Sequence, residues 1–281
     1  MKNLKDSTVI ICSIVRDAEH GLKVNIPVID AICSHFKDYR IVIYENDSKD
    51  RTKLLLNKWA EKDKKRIRVL LNNSDASKTI PAKSNVTCNP FFSRKRITKM
   101  VNLRNQYMEY IEKQKWHSDY IIVVDLDVAH LYVDPIIEAM GVNRDWNVLT
   151  AFGYSLSPYF KRRYHDGYAL TKLSDEKIPQ TEDMIYSASK ILGNLNSSDD
   201  WLKVYSAFGG LAIYKYNVIY GLRYKVLVND DPQVEVRCEH FSICKQIHER
   251  GYGNIYVVPS MILKYQAVTP KLIWNTIKRK L

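Results

Sequence analysis

Two carboxylates, Asp125 and Asp127, stand one residue apart at the end of an apolar run formed by Tyr120, Ile121, Ile122, Val123 and Val124. Such a run reads as a short strand buried on both faces. Side chains alternate along a strand, so the two carboxylates are expected to point the same way. Like charges held that close repel each other unless a cation sits between them. Hard oxygen donors suit Mg2+ or Mn2+. The chemistry predicted is a divalent-metal site at the carboxyl edge of a sheet, where open α/β folds keep their ligands. The alternative is a strand end running into an Asp-rich turn.

Four further groups could take part. Glu45, Asn46 and Asp47 form an acidic turn after the apolar residues 40–44. Asp47 or Ser48 could equally cap the next helix, which carries Leu54, Leu55 and Trp59. Arg104 lies off the apolar stripe of a helix predicted over 96–115, and faces either a ligand or solvent. Gly209 and Gly210, ahead of apolar residues, predict a close approach of backbone. Glu239 opens a helix beside His240. It is either an acid–base group or a carboxylate favoured by the helix dipole.

The elements that must position these groups follow from hydrophobic periodicity. Residues 8–15 read as a buried strand. A helix follows from Leu22, with Pro27 tolerable only near its first turn or at a kink. Residues 40–44 and 66–71 form two more strands separated by a helix. Strand–helix–strand spacing of this kind gives right-handed βαβ units and a parallel sheet. All carboxyl ends then share one edge, which brings the Glu45–Asp47 turn beside Asp125 and Asp127. Residues 72–94 read as a long loop, 135–140 as a short helix and 146–152 as a strand. Residues 153–200 read as an aromatic, loop-rich insertion with a helix near 181–192. An apolar strand after the Gly209–Gly210 pair, a helix carrying Phe241, Ile243, Cys244 and Ile247 and closed by Gly251, and a last strand over 254–259 complete the core. The tail over 272–281 is basic and amphipathic, suited to peripheral contact with an anionic membrane or to a solvated helix.

Composition narrows the function classes. The chain has 281 residues, 46% of them hydrophobic, enough for one large α/β domain. No segment has transmembrane length, and no signal-peptide core precedes the first strand; a cytoplasmic location is expected. Five scattered cysteines without a Cys-x-x-Cys argue against zinc or a disulfide framework. The net charge of +12 calls for an anionic partner. No zinc-finger or RNA-recognition signature accompanies it, so nucleic acid is not expected.

The turn from Tyr44 to Thr52 and the strand-terminal Asp125-Leu126-Asp127 together resemble the GT-A class of nucleotide-sugar glycosyltransferases. The spelling Glu45-Asn46-Asp47-Ser48 with Asp50 is most similar to the capsule-associated mannosyltransferase group related to the fungal CAP59 proteins. The resemblance implies an α/β, Rossmann-like, mostly parallel central sheet flanked by helices. It implies a single domain over 1–281, with residues 1–130 binding a UDP- or GDP-linked sugar and 131–281 a glycan or glycolipid acceptor. It also implies a hexosyltransferase of surface polysaccharide synthesis. Carried onto this sequence, Ser13, Val15 and Arg16 would line the nucleoside pocket. Glu45 and Asp47 would contact base or ribose, and Arg104 the phosphates. Asp125 would touch the ribose or the metal's waters, and Asp127 would ligate Mn2+ or Mg2+. Gly209, Gly210 and His240 would lie on the acceptor side, with Glu239 as base. Many GT-A enzymes add a late His ligand; residues 261–266 contain none, and Lys264 could stand in for its charge.

Two other classes compete. A sugar nucleotidyltransferase would carry a Gly-rich basic loop after the first strand, which residues 16–21 lack. A non-catalytic basic module binding polyanions explains the charge but gives no reason for Asp125 and Asp127. Glycosidase carboxylates flank the scissile bond from opposite sides, unlike two on one strand edge.

Overall fold

The computed structural model describes residues 3–72, 88–156, 161–266, 273–274 and 277. Apart from residues 273, 274 and 277, the predicted basic tail lies outside them, as does most of the predicted 72–94 loop. In order, the elements are β1 (Thr8–Val15), α1 (Glu19–Cys33), β2 (Asp38–Asn46), α2 (Thr52–Lys62), β3 (Ile67–Asn72), α3 (Arg94–Lys113), β4 (Tyr120–Val124) and α4 (Val133–Gly141). Then come β5 (Val148–Leu156), β6 (Arg162–Tyr164), α5 (Glu182–Leu192), β7 (Leu202–Lys203), β8 (Leu211–Lys215), α6 (Tyr216–Ile219), α7 (Glu239–Glu249) and β9 (Ile255–Lys264).

One sheet joins them all in the order β3-β2-β1-β4-β8-β5-β9-β7, with β6 paired to β5. β1, β2, β3 and β4 pair in parallel, as the βαβ reading expects. β8 enters antiparallel between β4 and β5, and β5 pairs in parallel with β9. Side chains of β4 alternate between two cores, which explains its unbroken apolar run. Tyr120, Ile122 and Val124 join Leu22, Ile29, Leu56, Trp59 and Met140 of α1, α2 and α4. Ile121 and Val123 join Ile97, Met108 and Ile111 of α3 and Ile243 and Ile247 of α7.

Two expectations are corrected. Pro27 sits inside α1, well past its first turn; it is exposed, so water can meet the carbonyl it leaves unpaired. The last strand does not stop at Pro259. β9 runs on to Lys264, and a register shift opposite Ala151 and Phe152 absorbs the proline.

α1 fixes the segment after β4. A methyl group at Gly21 would stand 2.4 Å from the Leu126 carbonyl oxygen and 2.8 Å from Asp127 Cα, so only glycine permits this approach. One turn on, fully buried Asn25 donates to the carbonyls of Leu126 (3.2 Å) and Val128 (2.8 Å) and accepts from Leu131 N (3.0 Å). Asn25→Ala strands these groups in a dry interior. We expect a loss of about 1–3 kcal/mol in stability, read as a lower urea midpoint at unchanged m-value.

Candidate active site

β4 ends at Val124, so Asp125 and Asp127 lie in the turn beyond it rather than on the strand. The strand-alternation argument for a shared orientation therefore does not apply. Instead each is placed by its neighbours. The Asp125 amide donates to Gly210 O at 2.8 Å. Its carboxylate accepts from the Tyr265 hydroxyl at 3.0 Å and lies 3.6 Å from the Arg104 guanidinium. Asp127 is exposed, and its side chain has no hydrogen bond to another residue among the described ones.

Arg104 comes from α3 and is 3% exposed, so it is neither solvated nor at the surface. Its Nε donates to Glu239 Oε1 at 3.0 Å. Its guanidinium lies over the rings of Phe208 (5.0 Å) and Tyr224 (5.9 Å). This guanidinium bridges the carboxylate of β4's turn and that of α7's first residue. Asp166, just after β6, accepts from the amides of Ala169 and Gly209, both at 3.3 Å. Asp125 and Glu239 thus share one buried cation, whose charge also reaches Asp127 and Asp166. Burial and mutual repulsion push Asp125 upward, and burial followed by the Glu239 charge lifts Asp166 to about 6. Glu239 goes the other way. Burial opposes its charge, but Arg104 outweighs it and holds the carboxyl at about 2.

The acidic turn after β2 is a scaffold shared with the turn after β1. Asp47 (φ 55°) and Asp17 (φ 49°) both adopt left-handed conformations. Ser48 Oγ accepts from Asp17 N, Thr52 Oγ1 from Ala18 N, and Asp17 from Lys49 N, at 2.7–2.9 Å. Glu45 is fully buried, accepts from Ser48 N at 2.6 Å and lies 3.9 Å from Lys53. Ser13 and Val15 are buried as well. Arg16 and Asp47 stay partly open, with Arg16 near Lys99 of α3, whose ammonium is pulled down by burial and by that charge.

A family model described as Cryptococcal mannosyltransferase 1 matches residues 8–246. The chain belongs to this mannosyltransferase family. Its α/β fold, a mostly parallel central sheet flanked by helices, is GT-A-like. A mannosyltransferase from Pyrobaculum calidifontis, in complex with GDP-Man and Mn2+, superposes with a TM-score of 0.52 at 14% identity over 95% of this chain and 58% of its own. Staphylococcus aureus TarS (1–349) gives 0.48 at 11% over 97% and 64%. Glucosyl-3-phosphoglycerate synthase from Mycobacterium tuberculosis gives 0.49 at 9% over 97% and 76%. The chain thus spans less than two thirds of the length of the first two. No sequence match to a curated protein was found.

Within this mannosyltransferase-family site, three residues escaped the sequence reading. Tyr265, directly after β9, reaches Asp125, and His165 stacks on its ring at 3.4 Å. Lys264 does not approach the carboxylates; its backbone pairs with His130. Asp166 joins from a stretch expected to be an insertion loop. Gly209 and Gly210 do make the expected close approach. A methyl group at Gly209 would lie 2.0 Å from Ala151 O, and one at Gly210 would lie 2.8 Å from the Tyr265 ring. His240 is 1% exposed, stacks on Phe208 at 3.7 Å and is kept neutral by burial.

The donor set fits a hard divalent cation in part. Crowded carboxylates raised by one another gain from a cation, and Asp127 offers an open carboxylate. Among the described residues, no three His, Cys, Asp or Glu side chains form a ready-made cage. Mg2+ sites of one or two carboxylates completed by substrate phosphates have this character.

The Arg104–Glu239 pair makes a pH prediction. Glu239 is depressed from 4.5 to about 2, so its contribution is full above 4.5 and lost as pH falls toward 2. Glu239→Gln should flatten that part of the acid-unfolding curve and leave the curve above pH 5 parallel to wild type.

Proposed function

We propose that this protein is a metal-dependent glycosyltransferase that moves a hexose, mannose first among the candidates, from a nucleoside-diphosphate sugar to a glycan or glycolipid acceptor of surface polysaccharide synthesis. The observation that carries the reading is the buried Arg104 guanidinium shared by Asp125 and Glu239 at the carboxyl edge of the sheet, with Asp127 and Asp166 near enough to feel its charge. That excess of negative charge favours Mn2+ or Mg2+, held by Asp127 with Asp125 beside it. When bound, the cation supplies electrostatic stabilisation of the departing diphosphate.

The chain's own residues do the rest. Arg104 and Tyr265 fix the Asp125 carboxylate, and Asn25 and Gly21 fix the backbone beneath Asp127. Arg16 and Lys99 present positive charge to the diphosphate. Glu239 is spent in its buried ion pair and makes a weak base. Asp166, partly buried and less strongly held, is the carboxylate we assign to deprotonating an acceptor hydroxyl. The net charge of +12 favours work at the cytosolic surface of an anionic membrane; among the described residues no helix is long and apolar enough to cross one.

A donor panel tests the reading. GDP-mannose, UDP-glucose and UDP-GlcNAc are incubated with the protein, with and without Mn2+, and free nucleoside diphosphate is measured. Mn2+-dependent release from one donor supports it. Release that is equal after chelation counts against metal dependence.

A further inference from the structure

Two glycines and one histidine seat the Tyr265 ring. A methyl group at Gly153 would stand 2.9 Å from Tyr265 Cε2, and one at Gly210 would stand 2.8 Å from both Cε2 and the hydroxyl oxygen. Neither position takes a side chain while the ring stays where it is. His165 lies flat on the ring, with centroids 3.4 Å apart and planes inclined by 16°. The backbone is pinned as well. Tyr265 N donates to Tyr154 O at 2.9 Å, and Tyr265 O accepts from Ala129 N at 3.2 Å.

Among the described residues the seated ring makes one hydrogen bond. Its hydroxyl donates to Asp125 Oδ2 at 3.0 Å. The other carboxylate oxygen, Oδ1, lies 3.6 Å from Arg104 Nη2. Gly210, which borders the ring, also takes the Asp125 amide on its carbonyl at 2.8 Å. Both ends of the Asp125 carboxylate are therefore set by other side chains, and without the Tyr265 hydroxyl one end is free to turn.

The His165 side chain has no task in the core. It is exposed, and its imidazole makes no hydrogen bond among the described residues. Its main chain is held independently, with His165 N donating to Gly153 O at 2.8 Å. What the ring does is cover Tyr265, and stacked aromatic pairs hold each other's orientation. Groups that orient a carboxylate at a metal site from behind matter to that site; changing one typically costs about 10–100-fold in metal affinity or activity.

We propose that His165 is a positioning residue for the donor and metal site: it keeps the Tyr265 ring in place and, through the Tyr265 hydroxyl, keeps the Asp125 carboxylate in one orientation. The site it serves rests on the metal-dependent reading above; the chain of contacts from His165 to Asp125 does not.

A double-variant cycle on the full chain tests it. GDP and UDP are titrated with Mn2+ present, and Mn2+ binding without nucleotide is followed by water-proton relaxation on the same samples. We expect His165→Ala and Tyr265→Phe each to weaken Mn2+-dependent nucleotide binding about tenfold, with the far-UV circular dichroism of wild type. The double variant should bind no more weakly than Tyr265→Phe alone, because His165 acts through that hydroxyl. His165→Phe keeps a flat ring on Tyr265 and should recover most of the loss. Wild-type affinity in His165→Ala, or a double variant whose loss is the product of the two single losses, overturns the proposal. Wild type that binds Mn2+ but no nucleotide, with Mn2+ binding weakened by His165→Ala, supports the positioning role and sinks the donor reading. Wild type that binds neither removes both.

Discussion

Asp127→Ala should lower metal-dependent donor turnover by about 10²–10³-fold, the scale on which one lost preorganised electrostatic group acts. The fold should not suffer. Asp127 is exposed, and its carboxylate holds no other described residue. The backbone beneath it is fixed by Gly21 and Asn25 rather than by its own side chain. Removing a carboxylate also relieves repulsion with Asp125, so the thermal midpoint should stay level or rise slightly. Turnover of the donor selected by the panel, with far-UV circular dichroism as control, checks both parts. Near-wild-type turnover would remove Asp127 from the metal site.

Arg104→Met should cost about 3–5 kcal/mol, the usual result of stripping one partner from a buried charge group. Glu239 is 3% exposed and would keep a carboxylate with no cation beside it. Asp125 would lose its ion-pair partner at 3.6 Å. The change also removes the guanidinium from the Phe208 and Tyr224 rings. Arg104→Lys should rescue little, because a point charge cannot reach two carboxylates and two rings at once. The double variant Arg104→Met with Glu239→Gln should be more stable than Arg104→Met alone, since the orphaned charge is gone. Equilibrium urea unfolding of the three proteins reads the differences. A cost below about 1 kcal/mol for Arg104→Met would mean the pair is screened by water.

Much of the frame was legible because its signals are local. β1, β2, β3 and β4 are built on short apolar runs, and α1, α2 and α3 with their apolar stripes join or precede them; that pattern admits few arrangements besides a parallel sheet. That the Glu45–Asp47 turn and the Asp125 segment share one carboxyl edge, with β1 between them, followed from parallel topology alone. The paired glycines told of a close approach without saying to what; the partners proved to be Ala151 O and Tyr265.

What stayed hidden was long-range. Tyr265 reaches Asp125 across 140 positions, and only the continuation of β9 past Pro259 carries it there. Asn25 holds carbonyls more than a hundred residues away through a helix whose stripe gave no sign of that use. Asp166 lies among tyrosines and arginines that read as loop, because the three-residue β6 is too short to show a period. Glu239 and Arg104 were each visible, but not as partners. An arginine off the apolar stripe looks solvated until the tertiary fold closes over it, and a carboxylate that opens a helix looks like a dipole cap.

The central claim is that this acidic cluster exists to hold a nucleoside diphosphate through a divalent cation. Calorimetric titration of GDP and UDP, each with Mn2+ and with EDTA, tests it most directly. The account predicts that one nucleotide binds with Mn2+ and loses at least tenfold in affinity with EDTA, and that Asp127→Ala abolishes the difference. Binding that is indifferent to the metal, or no binding of either nucleotide with Mn2+ present, would contradict it.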